Sequence, residues 1–355
     1  MIVIVNESSM TYQLIGQAPS FSATQIPVFS NSEGNRIAQS PTLQWIAGNK
    51  TYSNQNHHPK IIIMRVAHLH LPNTTPFARV SSLQQALTTR FLAHKKLASP
   101  ASILSQTDLK TNLPGNAHPP PPDPTIITFT PNPVYTTGRR DLPPSNTCPN
   151  SPTNHLSLPP PLEPIRSILT PSGTNAPLAE YHPTLRGGQT TYHGPGQMVA
   201  YTILDLRRLG LTPRCHIRVL ENSVIDVLKR YGVNGFTTAD PGVWVQDPAS
   251  AGTAKKITAV GVHLRRNISS FGIGLNVTEE PMWFFKQIVA CGLEGKEATS
   301  LEGVGVHGVG VDDVASEFVE RFVERVNRDF ACGEKNGEKI DEVYQVHEED
   351  LLRSL

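Results

Sequence analysis

Residues 186–197 read Arg-Gly-Gly-Gln-Thr-Thr-Tyr-His-Gly-Pro-Gly-Gln and run directly into the strand-like segment 198–204, Met-Val-Ala-Tyr-Thr-Ile-Leu. The four glycines among these twelve positions let a ligand lie against bare backbone, because glycine lacks the Cβ that would hold the ligand away. The spacing matches neither the phosphate loop GxxxxGK[ST] nor the dinucleotide loop GxGxxG. The sequence therefore predicts a binding loop whose default ligand is not a nucleotide phosphate.

This segment closely resembles the signature of the lipoyl(octanoyl) transferase family, the octanoyltransferases of lipoate biosynthesis. Further stretches resemble the family in the same order along the chain. They are 133–140 (Pro-Val-Tyr-Thr-Thr-Gly-Arg-Arg), 242–245 (Gly-Val-Trp-Val), 256–262 (Lys-Ile-Thr-Ala-Val-Gly-Val), 272–277 (Gly-Ile-Gly-Leu-Asn-Val), 291–292 (Cys-Gly) and 299–301 (Thr-Ser-Leu). The resemblance begins near Met64 and ends near Phe330, and the long proline-rich tracts lie outside it.

Composition limits the classes of partner. The net charge is +1 with no block of lysine or arginine, so nucleic acid is not expected as a partner. The strongest apolar run near the N-terminus, Ile-Ile-Ile-Met at 61–64, is far shorter than the ~20 residues of a membrane helix, so no membrane partner is expected. The cysteines form no CxxC pair, which favours a reducing compartment; they are Cys148, Cys215, Cys291 and Cys332.

The 31 prolines are concentrated in tracts that cannot pack a core, which leaves about one domain's worth of chain. We predict a disordered N-terminal extension over 1–63 and a catalytic domain over 64–332. Proline-rich insertions near 98–124 and 142–177 are expected to form surface loops inside that domain. Residues 333–355 are predicted to be a C-terminal tail.

The segment that follows Met64 allows two interpretations. No acidic residue lies between Met64 and Asp108, which is also typical of a mitochondrial presequence. Residues 65–71 alternate like a strand, and an apolar stripe then recurs at helical spacing. We favour a first strand and helix of the folded domain, because the family resemblance begins here; the stripe is Val80, Leu83, Leu87 and Phe91.

Later in the chain, Thr212-Pro213 predicts a helix start, and Asp312 or Asp313 is expected to cap a last helix with an apolar stripe from Val314 to Phe330. Strand-like runs are interspersed with these helices without strict alternation, at 125–130, 242–246, 257–264 and 272–277. The pattern predicts an α+β fold with a mixed β-sheet backed by helices. The resemblance implies the catalytic domain shared by biotin and lipoate protein ligases.

The resemblance implies that Cys291 is the catalytic nucleophile and that Lys256 lies beside it. Acyl transfer from a thioester needs a nucleophile at least as good as the displaced thiol, and the thiolate is the reactive form of cysteine. A lysine cation would favour that thiolate, and a neutral lysine would accept a proton from the incoming amine. Lys255 is expected to be a solvated charge at the same strand end.

Each of these assignments has a structural alternative. Cys291 can be a small buried apolar residue and Lys256 a solvated charge, although the family match favours the catalytic roles. His193 can lock the glycine-rich loop or contact substrate, and the residues leave both open. Arg186 can pair with a buried carboxylate or contact substrate. Cys215 lies near a predicted helix start but matches no position of the family.

The implied substrate is a saturated C8 acyl chain on the phosphopantetheine arm of acyl carrier protein. Small side chains at 259–261 and 272–274 would leave room for the chain along the backbone, and N–H groups near Cys291 would stabilise the tetrahedral oxyanion. The residues implied to bind substrate are Arg186, Gly187, Gly188, Gln189, Thr190, Thr191, Tyr192, His193, Ala259, Val260, Gly261, Gly272, Ile273 and Gly274.

The implied acceptor is a lysine ε-amine on a lipoyl domain, either of the 2-oxoacid dehydrogenase complexes or of the glycine cleavage H protein. A thioester becomes an amide in that step, which runs downhill, so no ATP, cofactor or metal is implied. The eukaryotic type of the family implies the mitochondrial matrix, although no clear presequence begins at Met1.

One residue departs from the family pattern. The family usually carries histidine immediately before the glycine of the segment 272–277, and this chain carries Phe271. Because Ser270 and Gly272 beside it are small, we expect the phenylalanine ring to lie at the pocket mouth.

Two other functions stay open at this point. An ATP-dependent lipoate or biotin protein ligase has a different glycine-rich arrangement and needs no cysteine nucleophile, so Cys291 and the run 193–196 argue against it. A non-catalytic protein that binds acyl carriers or lipoyl domains is supported only by Phe271.

Overall fold

The computed structural model describes residues 2–5, 12–15, 64–98, 120–142, 156–172, 174–247, 252–292, 294–331 and 337–353. Residues 1–60 form one unit, in which strands β1 (Ile2–Val5) and β2 (Tyr12–Ile15) pair antiparallel. Both strands lie inside the extension for which disorder was predicted, and the β-branched run 2–5 favours a strand. The rest of that prediction lies outside the described residues.

The second unit, residues 61–355, is built around a mixed eight-stranded sheet with the strand order β13-β3-β4-β8-β12-β11-β10-β9. The pairs β13/β3 and β3/β4 are parallel and the other pairs are antiparallel. A smaller sheet has the order β6-β5-β7. In chain order the strands are β3 (Met64–Thr75), β4 (Thr125–Pro131), β5 (Val134–Thr137), β6 (Glu180–Pro183), β7 (Thr191–His193), β8 (Gln197–Ile203), β9 (Gly235–Phe236), β10 (Val243–Gln246), β11 (Ala254–Arg265), β12 (Ile268–Asn276) and β13 (Ile340–Gln345).

Helices cover both faces of the large sheet. Strand β8 shows the two faces. Met198 and Ala200 pack with the helices Pro213–Arg230 and Val311–Phe330, whereas Val199 and Tyr201 pack with the helix Phe77–Leu97. This arrangement confirms the predicted α+β class with a mixed sheet backed by helices. The α-helices are α1 (Phe77–Leu97), α2 (Arg166–Leu169), α3 (Pro213–Arg230), α4 (Met282–Phe285), α5 (Val311–Phe330) and α6 (Glu348–Arg353).

The apolar spacing identified the main helices correctly. The predicted stripe of α1 is buried from Val80 to Phe91, so residues after Met64 belong to the core of the domain. The Thr212 side chain accepts a hydrogen bond from the Cys215 backbone N–H at 3.1 Å and caps α3 as expected. Helix α5 begins after Gly310, whose N–H donates to the Asp313 carboxylate at 3.2 Å.

The predicted boundary at residue 332 is too early. Strand β13 pairs in parallel with β3 at the edge of the sheet, and Leu351 of α6 is buried among residues of α1. The Asn327 side chain also accepts from the Ile340 N–H and donates to the Ile340 carbonyl, both at 2.8 Å. An edge strand with one polar face has a weak apolar signal, which explains why 337–353 was predicted to be a tail.

The second proline-rich tract is only partly a loop. Residues 160–165 form a 3-10 helix that continues into α2, and Leu162, Ile165 and Leu169 are buried against Tyr135 and Tyr192. Proline fixes φ near the helical value, so a proline-rich run can form such a turn. Residues 143–155 of this tract, and 99–119 of the first tract, lie outside the described residues.

Candidate active site

A cavity of about 380 Å³ lies between strands β11 and β12, the segment 186–193 and the turn at Cys291. Most residues predicted to bind substrate line it, whereas Thr190 and Tyr192 do not. The predicted residues that line it are Arg186, Gly187, Gly188, Gln189, Thr191, His193, Lys256, Ala259, Val260, Gly261, Gly272, Ile273, Gly274 and Cys291. Phe271, which was expected at the pocket mouth, also lines it. Other lining residues, which the sequence did not single out for this role, are Arg140, Tyr201, Ile217, Asp240, Pro241, Val262 and Gly292.

A second cavity, of about 30 Å³, adjoins the first and also reaches Trp244, Phe285 and Lys296. Some residues border both cavities, and they include both predicted catalytic residues. The chemistry expected of Cys291 and Lys256 therefore lies where the two cavities meet. The shared residues are Thr191, His193, Lys256, Ala259, Gly274 and Cys291.

Two glycines of β12 make room for protein atoms. A Cβ at Gly272 would lie 2.2 Å from the carbonyl oxygen of Ala200 on the adjoining strand. A Cβ at Gly274 would lie 3.0 Å from the His193 ring. The absence of a side chain at Gly272 therefore allows close strand packing, and its absence at Gly274 makes room for the His193 ring. Both roles add to the space for an acyl chain that the sequence suggested.

Cys291 sits in a strained turn. Its φ of 58° and ψ of 19° are left-handed, a conformation that costs a non-glycine residue roughly 1 kcal/mol or more. The Cys291 N–H donates to the Thr190 carbonyl at 2.7 Å, and the Gly292 N–H donates to the Val289 carbonyl at 3.1 Å. Both N–H groups are therefore engaged, and the prediction that backbone N–H groups near Cys291 bind the oxyanion is not supported at these two positions.

Asp141 fixes the residue that holds Cys291. Its carboxylate accepts hydrogen bonds from the Thr190 N–H at 2.6 Å and from the Thr190 hydroxyl at 2.7 Å. Thr190 therefore links Asp141 to the backbone of Cys291, which accounts for its absence from the cavity wall. Sequence reasoning missed Asp141, although it directly follows the family-like run 133–140.

We expect Asp141→Asn to destabilise the fold by about 1–3 kcal/mol, because an amide cannot offer the charged acceptor that both Thr190 donors share. Chemical denaturation would measure the change. The exposed residue Asp341, whose carboxylate lies 3.6 Å from Lys339, provides the control Asp341→Asn, which should stay within about 0.5 kcal/mol of wild type. Equal losses in the two variants would contradict the role given to Asp141.

Lys256 lies at the cavity junction, on strand β11. Its Nζ donates to the Pro241 carbonyl at 3.0 Å and lies 4.7 Å from the Trp244 ring centroid. Burial lowers the pKa of Lys256, and the nearby Cys291 and Asp240 act in the opposite direction. A larger fraction of Lys256 is therefore neutral at a given pH than of an exposed lysine.

Lys255 does not border either cavity. Its Nζ lies 3.0 Å from the carboxylates of both Asp247 and Glu297, and hydrogen bonds to these two groups raise the pKa of Lys255. Consecutive residues of a strand project to opposite sides, so only one of the two lysines can face the cavities.

Arg186 is buried and binds backbone and hydroxyl oxygen. Its Nη2 donates to the carbonyl and to the hydroxyl of Thr136, both at 2.9 Å, and its Nη1 donates to the Gly187 carbonyl at 3.1 Å. No ion pair between Arg186 and a carboxylate occurs among the described residues. Burial lowers the pKa of Arg186, but an arginine starts high enough to stay charged. The site therefore holds a permanent cation beside Cys291.

His193 has its tautomer set by a chain of amides. The Asn276 Nδ2 donates to the Thr299 carbonyl at 2.8 Å, so the Asn276 Oδ1 points towards Gln197. The Gln197 Nε2 donates to that oxygen, also at 2.8 Å, which leaves the Gln197 Oε1 to face His193 as an acceptor. The Nδ1 of His193, 3.0 Å from that oxygen, is therefore the protonated nitrogen. Burial and the charge of Arg186 lower the pKa of His193 to about 4. His193 is thus a neutral, structurally anchored histidine that also borders both cavities.

Tyr192 packs against the short helix that precedes the turn at Cys291. Its ring stacks on Phe284 of α4 with centroids 4.3 Å apart and meets Tyr135 edge-on at 5.2 Å. It lines only the smaller cavity.

Phe271 is a core residue, and its expected place at the pocket mouth is wrong. Its side chain is 8% exposed and packs edge-on to Tyr201 at 5.4 Å, and it borders the larger cavity. Its φ of 60° breaks the alternation of β12, so Phe271 joins the α1 side of the sheet while Ile273 joins the other side. The Phe271 N–H donates to the Gln84 side chain of α1 at 2.5 Å.

We therefore expect Phe271→His to lower stability by about 1–3 kcal/mol without a gain in turnover, because it replaces an apolar ring packed in the core by a polar ring that must be desolvated. Melting curves and steady-state kinetics on the same sample would measure both. Phe236→His, at a half-buried position of the edge strand β9, is the control and should cost less. A faster variant of unchanged stability would contradict the core assignment.

No cluster of three potential metal ligands occurs in the described residues, and none of the described helices is long and apolar enough to cross a bilayer.

Comparison with known proteins adds an independent observation. Residues 169–323 match the family model described as the lipoyl protein ligase A/B catalytic domain. A probable octanoyltransferase of Schizosaccharomyces pombe is 42% identical over 187 residues, which cover 52% of this chain and 70% of that protein. An octanoyltransferase of Solibacter usitatus is 42% identical over 143 residues, which cover 40% of this chain and 60% of that protein.

The mitochondrial octanoyl-[acyl-carrier-protein]:protein N-octanoyltransferase of Homo sapiens is 39% identical over 166 residues, 45% of this chain and 68% of that protein. Among solved structures, a putative lipoate protein ligase of Thermoplasma acidophilum with bound lipoic acid superposes with a TM-score of 0.45 at 12% identity, over 83% of this chain and 95% of that one.

Proposed function

The chain belongs to the lipoyl(octanoyl) transferase family, and we propose that it moves an octanoyl group from octanoyl-acyl carrier protein to a lysine of a lipoyl domain through a thioester on Cys291. The observation that carries the proposal is the meeting of Cys291 and Lys256 at the junction of the two cavities. A nucleophile and a proton acceptor are the two groups that acyl transfer from a thioester to an amine requires.

In the first step the Cys291 thiolate attacks the carbonyl carbon of the carrier thioester. A new C–S bond forms to Sγ, the carbonyl electron pair moves to oxygen, and collapse of this intermediate breaks the bond to the carrier sulfur. Lys256 takes the thiol proton of Cys291 and returns it to the departing thiolate. The buried cation of Arg186 favours the anionic state of the site throughout.

In the second step the lysine amine of the lipoyl domain attacks the same carbonyl carbon. A C–N bond forms, the bond to Sγ breaks, and the amine loses a proton to Lys256, which passes it to Cys291. Because burial lowers the pKa of Lys256, its neutral form is populated more readily than that of a solvated lysine.

The larger cavity suits a small acyl group. Its volume of about 380 Å³ lies at the lower end of the ~300–1,000 Å³ that small-molecule sites occupy. Its lining includes the apolar side chains of Val260, Ile273 and Phe271, which a saturated chain can contact.

The two alternatives are less well supported. An ATP-dependent ligase needs a site for nucleotide phosphates, and the loop at 186–197 has neither phosphate-loop spacing. A non-catalytic binding protein was favoured only by Phe271, which packs in the core while Cys291 and Lys256 keep their places at the cavity junction.

The partners and compartment follow from the same proposal. Relatives from Danio rerio, Xenopus tropicalis and Homo sapiens are described as mitochondrial. We propose that this protein acts in the mitochondrial matrix, on the lipoyl domains of 2-oxoacid dehydrogenase complexes and on the glycine cleavage H protein.

The test is to incubate the protein with octanoyl-acyl carrier protein and to measure its intact mass and the acylated residue. A mass gain equal to one octanoyl group on Cys291, which disappears when a lipoyl domain is added, is the expected result. No mass gain in the presence of substrate, or octanoyl found on another residue, would refute the mechanism.

A further inference from the structure

The hydroxyl of Thr191 has no explanation in the packing. Thr191 lies in strand β7, is 3% exposed, and its Oγ1 has no hydrogen-bond partner among the described residues. A buried hydroxyl without a partner costs about 1–3 kcal/mol, so such a group calls for a ligand or a functional reason. This hydroxyl belongs to a residue that borders both cavities together with Cys291.

The chemistry at Cys291 creates a need for such a donor. Each of the two proposed steps passes through a tetrahedral intermediate with a negative oxygen, which must be stabilised by hydrogen-bond donors. The N–H groups of Cys291 and Gly292 already donate to the carbonyls of Thr190 and Val289, at 2.7 and 3.1 Å. In most folds that use a cysteine or serine nucleophile, such N–H groups would be the first candidates.

The side chains beside Thr191 offer fewer free donors. The protonated nitrogen of His193 faces Gln197, so its other ring nitrogen carries a lone pair and cannot donate. Three of the five N–H groups of Arg186 donate to Thr136 or Gly187. Lys256 is assigned to proton transfer. The Thr191 hydroxyl, in contrast, is a donor that has no acceptor among the described residues.

Thr191 is also held at a fixed position relative to Cys291. It follows Thr190, whose carbonyl binds the Cys291 N–H and whose N–H and hydroxyl are fixed by the Asp141 carboxylate. Strand β7 pairs with β5 at the same place, with Thr191 opposite Thr136. A hydrogen-bond donor in a fixed position stabilises a developing negative charge more effectively, because the donor does not have to reorient during the reaction.

We propose that the Thr191 hydroxyl donates a hydrogen bond to the carbonyl oxygen of the bound thioester as that oxygen becomes an oxyanion, in both steps of the transfer. The inference rests on the proposed function, because it requires an acyl group on Cys291. No proton is transferred from Thr191; its hydrogen bond strengthens as the carbonyl π electrons move to oxygen and weakens when the intermediate collapses.

The test compares two reactions of the same thiol. Thr191→Val keeps the side-chain shape and removes the hydroxyl, and we expect it to slow octanoylation of Cys291 by octanoyl-acyl carrier protein about 10²–10³-fold. Alkylation of Cys291 by iodoacetamide forms no oxyanion, so its rate should stay at the wild-type value. Intact-mass measurements over time give both rates.

Two further variants complete the design. Thr191→Ser retains the hydroxyl and should octanoylate within about tenfold of wild type. Thr258→Val is the matched control, because the Thr258 hydroxyl is also buried without a partner in the described part of the chain, but Thr258 lines neither cavity. The rates of this variant should not change. Melting curves show whether each variant folds. If Thr191→Val does not fold, Thr191→Ala takes its place in the comparison.

Unchanged octanoylation in Thr191→Val would overturn the inference, and so would an equal slowing of octanoylation and alkylation, because the residue would then act on Cys291 itself. Wild-type protein that alkylates at Cys291 but forms no octanoyl adduct would instead refute the proposed function, and with it this role.

Discussion

Cys291→Ser is expected to reduce octanoyl transfer by more than about 10³-fold, because an alkoxide is far scarcer than a thiolate near neutral pH and the covalent intermediate then fails to form. Transfer to a lipoyl domain, followed by mass spectrometry of that domain, measures the loss. The variant should also show no octanoyl adduct after incubation with octanoyl-acyl carrier protein.

The substitution should leave the fold intact. Serine fits the space of cysteine, and the contact that holds the turn, from the N–H of residue 291 to the Thr190 carbonyl, belongs to the backbone. Cys215→Ser is the matched control, since Cys215 lies in the first turn of α3 and borders neither cavity. That variant should transfer at the wild-type rate. Transfer by Cys291→Ser within tenfold of wild type would remove Cys291 from the mechanism.

Local patterns predicted a large part of the fold. The spacing of apolar residues located α1 and α5, and the pair Thr212-Pro213 located the start of α3, because these signals depend on a few neighbouring residues. The family-like segments contain most of the residues that line the larger cavity, but not Tyr201, Ile217, Asp240, Pro241 and Phe271.

Features that depend on distant contacts were not accessible from the sequence. The role of Asp141 arises from hydrogen bonds to a residue 49 positions later, and the burial of Phe271 arises from its left-handed φ and from Gln84 of α1. Strand β13 owes its existence to pairing with β3, which lies at the other end of the domain sequence. The engaged N–H of Cys291 is a further case, since its acceptor is the carbonyl of Thr190.

The three basic side chains of the site differ in their charge states. Arg186 is a permanent cation in a buried place, Lys256 is a lysine whose pKa burial lowers, and His193 is held neutral by burial and by the charge of Arg186. The site thus separates a fixed cation, which lies beside Cys291, from a titratable amine, which can carry a proton.

Lys256→Arg separates these two roles. Arginine remains a cation beside Cys291 but cannot accept a proton. We expect this variant to keep alkylation of Cys291 near the wild-type rate and to lose transfer to the lysine amine by about 10²–10⁴-fold, as for a missing general base. Rates of iodoacetamide alkylation and of lipoyl-domain octanoylation measure the two effects.

Lys256→Ala is expected to lower both rates, because it removes the cation and the proton acceptor together, with transfer again reduced by about 10²–10⁴-fold.

The sign of the pH dependence follows from the lowered pKa of Lys256. The neutral amine is the active form in the second step, so wild-type transfer rises with pH until Lys256 is deprotonated. Lys256→Ala should lose this rise. Lys255→Ala, whose lysine pairs with Asp247 and Glu297 away from the cavities, should keep both the rate and the rise. Equal losses in the two alanine variants would mean that proximity to Cys291 does not distinguish these lysines, and Lys256 would then lose its assigned role.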